Sequence, residues 1–355
     1  MAAMTTHERM TRMYRHREAD RVPITDSPWG TTLDRWRREG MPADASFEDF
    51  FGLDRFVSIG VDNSPRYPWT VIEETPEYTI TKSQFGVTMK NWRKHGGVPE
   101  FLDFTVTDAK SWLEAKKRMT PDRDRVDWDR LKREYRGWRG AGAWITGEFW
   151  FGFDVTHSFF VGTERVLEGL AEEAEWLPDI FNTMLDLDIA LMDQVWEAGY
   201  TFDAINWYDD MGYKGHPFFS LRTYRNMVKP AHKLACDWAK AKGVRVHLHS
   251  CGDVRTLIPD LIEIGVDMLN PCEVKAGMDP AWLKKTYGDR LAFHGGVNAA
   301  LFDKPDLLWA QMREAVPVLK QRGGYLLSSD HSVPDSVSLP TFTEFVRLGK
   351  ELGTY

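Results

Sequence analysis

Short apolar runs alternate with longer amphipathic stretches along most of the chain. The runs fall at Arg21–Thr25, Arg55–Val61, Ala143–Gly147, Ala204–Trp207, Val244–His249, Asp267–Asn270, Leu291–Gly295 and Gly324–Ser328. Runs of this length, bounded by turn residues, predict eight strands. Between them Glu173–Ala198, Ser220–Lys242, Pro305–Arg322 and Pro340–Glu351 predict helices. Ser220 supplies an N-cap, and Asp279-Pro280 a cap followed by proline at the first helical position. Eight strands alternating with helices predict an α/β fold, a (β/α)8 TIM barrel, in a single domain over residues 1–355. An open doubly wound sheet is the alternative. The second half is the clearest, with strand and helix repeating every ~30 residues from Ala204 onward. Tyr78–Lys82 and Gly86–Lys90, separated by a short turn, predict a β-hairpin excursion near residues 70–93.

Composition narrows the classes. A hydrophobic content of 43% is too high for a disordered chain. No apolar run reaches the ~18 residues of a membrane span, and the first residues hold no apolar stretch of signal-peptide type. Three cysteines, an odd count, argue against a disulfide framework and for a reducing cytoplasm. A net charge of −8 argues against nucleic acid as a partner. What remains is an enzyme acting on a small molecule. Most of the 15 tryptophans are expected in the core or on the surface, with a few lining a pocket.

Catalytic groups of such barrels stand at the carboxyl ends of the strands. There the chain places Asp26 and Trp29, then Asp62, then Glu148 and Trp150. Tyr208, Asp209, Asp210 and Tyr213 follow, then His249 and Cys251, Cys272, His294, and finally Asp330 and His331. His249 and Cys251, two residues apart, point the same way from a strand end. An imidazole and a thiolate there suit one soft divalent metal, zinc above all. A third ligand has to come from another strand, from Asp330, His331, Glu148, Asp209, Asp210 or Cys272. On spacing alone a buried thiol beside a hydrogen-bonded core histidine is the better account of the pair. Adjacent carboxylates at a strand end point to opposite sides, so one of Asp209 and Asp210 is expected to face the cavity. The chain carries no P-loop, no GxGxxG after a strand, no GxSxG and no HExxH.

The stretch His249-Ser250-Cys251-Gly252-Asp253-Val254, running on through Leu257–Asp267 to Asn270-Pro271, resembles the uroporphyrinogen decarboxylase-like superfamily. So do Tyr287–Val297, Ser328–Pro334, Asp209-Asp210-Met211-Gly212 and, more faintly, Asp20–Ile24. The resemblance covers most of the chain and implies a (β/α)8 barrel. One branch, the true decarboxylases, holds a tetrapyrrole with an arginine-rich segment after the first strand. Here that place reads Ser27-Pro28-Trp29-Gly30-Thr31-Thr32, which argues against uroporphyrinogen as substrate. The branch's catalytic Asp and His correspond to Asp62 and His331. The other branch moves methyl groups between a corrinoid and a thiol on zinc. Its H-x-C-G motif is matched by His249 and Cys251, while its further Cys falls at Ser328–His331, where this chain has none.

The expectation is therefore a metal-dependent methyltransferase acting between a corrinoid and a thiol or methyl-ether small molecule. Zinc sits on His249, Cys251 and Asp330 or His331. Asp209, Asp210 and Glu148 orient substrate or move protons. Asp26, Trp29, Trp150, Trp207, Tyr208 and Tyr213 bind it. A corrinoid protein is the implied partner, and a homodimer the implied assembly. The rival reading is a metal-free decarboxylase using Asp62 and His331 on a tetrapyrrole or another carboxylate. A third is a non-catalytic tetrapyrrole- or corrinoid-binding protein.

Overall fold

The protein is described by a computed structural model that covers residues 3–93 and 97–355. Strand β1 is Phe56–Ile59. An antiparallel sheet follows it, made of β2 (Thr70–Glu74), β3 (Tyr78–Lys82), β4 (Val87–Trp92) and β5 (Glu100–Phe104). The chain then forms β6 (Trp144–Glu148), β7 (Ala204–Tyr208), the two-residue strands β8 (Gly212–Tyr213) and β9 (His216–Pro217), and β10 (Arg245–His249). It ends with β11 (Met268–Asn270), β12 (Ala292–Val297) and β13 (Tyr325–Ser329). β1, β6, β7, β10, β11, β12 and β13 pair in that order as one curled sheet, every pair parallel. The order never reverses along the sequence. A doubly wound sheet needs such a reversal, so the architecture is TIM-like.

The predicted first strand, Arg21–Thr25, is not an extended ladder. Ile24 bridges Leu327, and Arg21 bridges Thr354. Thr25 N–H donates to the Leu327 carbonyl at 3.1 Å, and the Asp54 N–H donates to the Ile24 carbonyl at 3.0 Å on the other side. Pro23 has no N–H to give, and the Ile24 N–H is taken by the Asp54 carboxylate at 2.8 Å. Two consecutive residues thus give no N–H to a neighbouring strand, although the Pro23 carbonyl accepts the Leu327 N–H at 3.0 Å. The hairpin near residues 70–93 is present as β3 and β4. It is flanked by β2 and β5, which the sequence reading left out. β2 is exposed along its whole length and β5 mostly so, and neither shows the in–out alternation of a half-buried strand.

The predicted helices stand at Trp176–Glu197, Leu221–Lys242 with a π-helical turn over Tyr224–Val228, Pro305–Leu319 and Leu339–Gly353. The Ser220 side chain accepts the Thr223 N–H, and the Asp279 side chain the Trp282 N–H ahead of Pro280. No described helix is long and apolar enough to cross a membrane.

Strand alternation divides the apolar side chains in two. Ile145, Ile205, Trp207, Val246, Leu248, Leu269, Phe293 and Leu327 join the large core under the helices. Their neighbours Trp144, Ala204, Met268, Ala292 and Leu326 form a separate cluster with Phe56 and with Met10, Met13 and Tyr14 of the helix Thr6–Tyr14. This second cluster is the apolar floor on which the functional cavity rests.

Candidate active site

Two residues further along each strand the inward positions turn polar. Ser58, Thr146, Asn206, His247, His294 and Ser328 line a cavity of about 230 Å³ above Met10, Phe56, Trp144 and Leu326. The next layer holds Asp26, Glu148, Tyr208, His249 and Asn270, with His331 at the wall as well. Glu148 is fixed by three donors: Ser58 Oγ at 2.7 Å, Thr146 Oγ1 at 2.9 Å and Asn206 Nδ2 at 2.8 Å. Asp26 accepts the Ser329 N–H at 3.0 Å and the Ser329 hydroxyl at 2.8 Å. Burial pushes its carboxyl up to about 6, against those bonds. His247 Nε2 and His294 Nδ1 face each other at 3.4 Å. Burial is the main reason that both resist protonation, His247 down to about 3.

At the carboxyl end of β10, His249 Nε2 lies 3.3 Å from Cys251 Sγ and 3.4 Å from Asp210 Oδ1. One donor atom from each of the three falls within 4.8 Å of the others. Asp210 is aimed by the Cys251 N–H, which donates to its Oδ1 at 2.7 Å. Burial raises the Cys251 thiol above its ordinary range, and the carboxylates of Asp210 and Glu273 raise it further. Burial likewise raises Asp210. A buried thiol whose ionisation is suppressed by a neighbouring carboxylate is the environment a dication reverses. The His249 ring is turned by Asn270, whose Oδ1 accepts from Nδ1. The Asn270 amide is in turn held through Nδ2 on the His294 carbonyl at 3.3 Å. With Nδ1 as the donor, Nε2 carries the free lone pair facing Cys251 and Asp210. The N, S, O donor set, with one side open, fits a zinc ion of catalytic type.

A second cavity, of about 340 Å³, reaches Cys251. It is lined by Gly212, Tyr213, Lys214, Gly252, Glu273, Lys275 and Ala276. Glu273 accepts the Gly252 N–H at 2.7 Å and pairs with Lys275 at 3.1 Å. The β8–β9 hairpin sits hard on the Cys251 loop. A Cβ on Gly252, whose φ is +79°, would meet the Gly212 backbone at 2.1 Å, so only glycine fits.

The family model of uroporphyrinogen decarboxylase (URO-D) matches residues 156–352, more than half of the chain. The chain belongs to the uroporphyrinogen decarboxylase family. The matched segment carries Asp210, His249, Cys251, Asn270 and His331. Among solved structures, a methyltransferase from Methanosarcina mazei aligns with a TM-score of 0.65 and 16% identity, over 98% of this chain and 99% of that one. At that identity the likeness shows the fold. An endo-1,4-beta-xylanase, XylE, from Penicillium canescens aligns at 12% identity over 70% of this chain and 92% of that one, with a TM-score of 0.37, too low for a shared fold to be argued. No curated protein matches the sequence.

Within this family member the expected residues separate. His249, Cys251, Glu148, Asp26, Tyr208 and His331 reach the two cavities, and Asp210 joins His249 and Cys251. Asp330, the expected third ligand, does not. Its two oxygens accept the Val274 and Ala299 N–H groups at 2.8 Å each, tying two loops together. Cys272 is also apart, its thiol pointing to the Leu269 carbonyl. Asp209 faces away from the cavity, bonded at 2.6 Å to His232 in the buried layer. Asp62 lies outside both cavities. It is held by Ser64 at 2.6 Å and Arg66 at 2.7 Å, with Arg125 at 3.7 Å. Trp207 is fully buried against Phe151 and His232. The alternation that sends Asn206 and Tyr208 inward sends Trp207 out. Trp150 packs on Phe159 and Tyr208, and Trp29 packs edge-on against His331. Tyr213 belongs to the second cavity. Sequence reasoning gave no role to Ser58, Thr146, Asn206, His247 or Asn270. Stepping back two residues from Glu148 and from His249 finds Thr146 and His247.

Proposed function

We propose that the protein is a metal-dependent methyltransferase of the uroporphyrinogen decarboxylase family, with Asp210, His249 and Cys251 as the metal ligands. The observation that carries this reading is the convergence of those three side chains, with Asn270 orienting His249. His249 lines one cavity and Cys251 the other. Two cavities that share this centre would let a methyl donor and an acceptor reach it separately, a provision that a lyase with a single substrate does not require. Zinc, when bound, would acidify a thiol or water and so make it a nucleophile at neutral pH. Asp210 and Cys251 would hold the charge and Glu148 would orient the small molecule. A corrinoid is far larger than either cavity, so a corrinoid co-substrate would approach the rim on a partner protein. The lyase reading finds less support, because Asp62 lies outside both cavities and is already engaged by Ser64, Arg66 and Arg125.

The test is metal content with activity. Untagged protein supplied with zinc is expected to retain about one equivalent per chain, and Cys251→Ser less than about a tenth. The zinc-loaded protein is expected to demethylate methylcobalamin in the presence of a thiol, followed by the change in corrinoid absorbance. Zinc-free protein of unchanged activity, or undiminished zinc in Cys251→Ser, would sink the reading.

A further inference from the structure

The inner cavity is asymmetric in charge. Asp26 and Glu148 line it, and none of its lining side chains is Lys or Arg. Glu148 is half-buried, and the three donors that fix it, two hydroxyls and an amide, are all neutral. Among the described residues it forms no ion pair with Lys, Arg or His. The histidines of the wall are engaged elsewhere: His247 and His294 with each other, His249 with Asn270 and Cys251, and His331 near the Ser332 carbonyl. A carboxylate withdrawn from water is ordinarily paired. Here the pairing charge is missing from the protein, while the space beside the carboxylate is open. The rest of the lining is neutral hydroxyls and amides, four histidines, a few aliphatic side chains and three aromatic rings. Tyr208 borders the cavity, backed by Trp150, and Trp144 and Phe56 form the floor. Aromatic faces attract an organic cation and do not compete for its hydrogen bonds.

We propose that the inner cavity binds a small organic cation, an ammonium compound whose positive centre pairs with Glu148 and packs against Tyr208. A polycarboxylate is the opposite of what such a wall accepts. The three neutral donors keep the carboxylate in place and bring no positive charge to it. The proposal deepens the methyl-transfer reading by naming its small-molecule class, and it rests on that reading for this cavity being the substrate site.

Choline and 3,3-dimethylbutan-1-ol separate charge from shape, since carbon replaces nitrogen in the second. Calorimetric titration of the untagged protein is expected to show choline binding at least about tenfold tighter than the alcohol. Glu148→Gln is expected to bring the two together. Equal affinity for the two probes, no choline binding at millimolar concentrations, or undiminished preference in Glu148→Gln would each overturn the proposal. The two probes decide on the unaltered protein even where the variant fails to fold. Repeating the titration after chelation separates the readings. Charge preference in a protein that never holds zinc removes the metal and keeps the ammonium site. Zinc loading without charge preference does the reverse.

Discussion

Two aspartate–histidine pairs flank the end of β7, and they differ in almost everything but composition. Asp209 and His232 are fully buried, 2.6 Å apart. Asp209 also accepts the Asp154 N–H at 2.7 Å, and His232 faces the Tyr224 hydroxyl at 3.3 Å. Phe151 and Trp207 pack on the imidazole. Asp210 and His249, one residue further and on the inner side, stand 3.4 Å apart, with the Asp210 side chain 37% exposed. Tyr208 packs on this imidazole too, at 4.5 Å between ring centres, but the third polar neighbour of the pair is the Cys251 thiol. The outer pair has its hydrogen-bonding capacity filled and no route to solvent, so it acts as a fastening between the sheet and the helix Lys229–Lys242. The inner pair has unfilled capacity and two cavities beside it. Adjacent carboxylates on one strand end have been divided between stability and chemistry by the two-residue period of the strand.

Removing one carboxylate at a time should show that division. Asp209→Leu leaves His232 buried without its partner and is expected to cost about 3–5 kcal/mol. Asp210→Ala removes a half-exposed acceptor of one backbone N–H and is expected to cost no more than about 1 kcal/mol. Denaturant midpoints of the two variants give the comparison directly. Equal losses would mean that Asp210 is as much a fastening as Asp209.

A finer version moves one shell outward. Asn270 stands to His249 as Tyr224 stands to His232, each holding the far nitrogen of its ring. Asn270→Leu frees the His249 ring and is expected to weaken zinc binding by about 10–100-fold. Tyr224→Phe, whose hydroxyl touches only the fastening, is expected to change it by less than about twofold. Competition against a chromophoric chelator measures both. A loss with Tyr224→Phe as large as with Asn270→Leu would mean that the two pairs act as one unit.

The sequence made some of this legible and hid the rest for identifiable reasons. Seven of the eight barrel runs are strands because Val, Ile, Leu and aromatic residues mark them whichever face they cover. The eighth, around Pro23, has the composition of a strand but lacks the donors of one. His249 and Cys251 could be paired because they are local. Their third partner could not be settled, since Asp209, Asp210 and Asp330 all follow strands and only the course of the loops separates them. Asp330 is taken up by the Val274 and Ala299 amides, contacts more than thirty residues away in sequence. Asn270 was invisible as an orienting group for the same reason. A close backbone approach was hidden in the same way: a Cβ on Gly295 would meet the Pro271 carbonyl oxygen at 2.0 Å.

The smallest expected effect concerns Asp26, the inner-cavity carboxyl that touches neither pair. Burial lifts it to about 6 from an ordinary 3.8. A carboxyl with a raised folded-state value adds stability that is fully present below its unfolded value and is lost as the pH rises through the folded one. Asp26 therefore favours folding below about pH 4, and that contribution fades by about pH 6.5. Asp26→Asn has no such proton to lose. The variant meets the two Ser329 donors with only one acceptor, and that cost shifts its stability by the same amount at every pH. The readout is consequently the slope and not the offset. Between about pH 4 and 6.5 the stability of Asp26→Asn relative to the unaltered protein is expected to rise by on the order of 1–2 kcal/mol, reduced from the full linkage value because the group retains some contact with water. Urea titrations at several pH values measure it. A difference flat across that window would show that the cavity wall at Asp26 is as wet as the mouth at Asp210, and that only the outer pair is withdrawn from solvent.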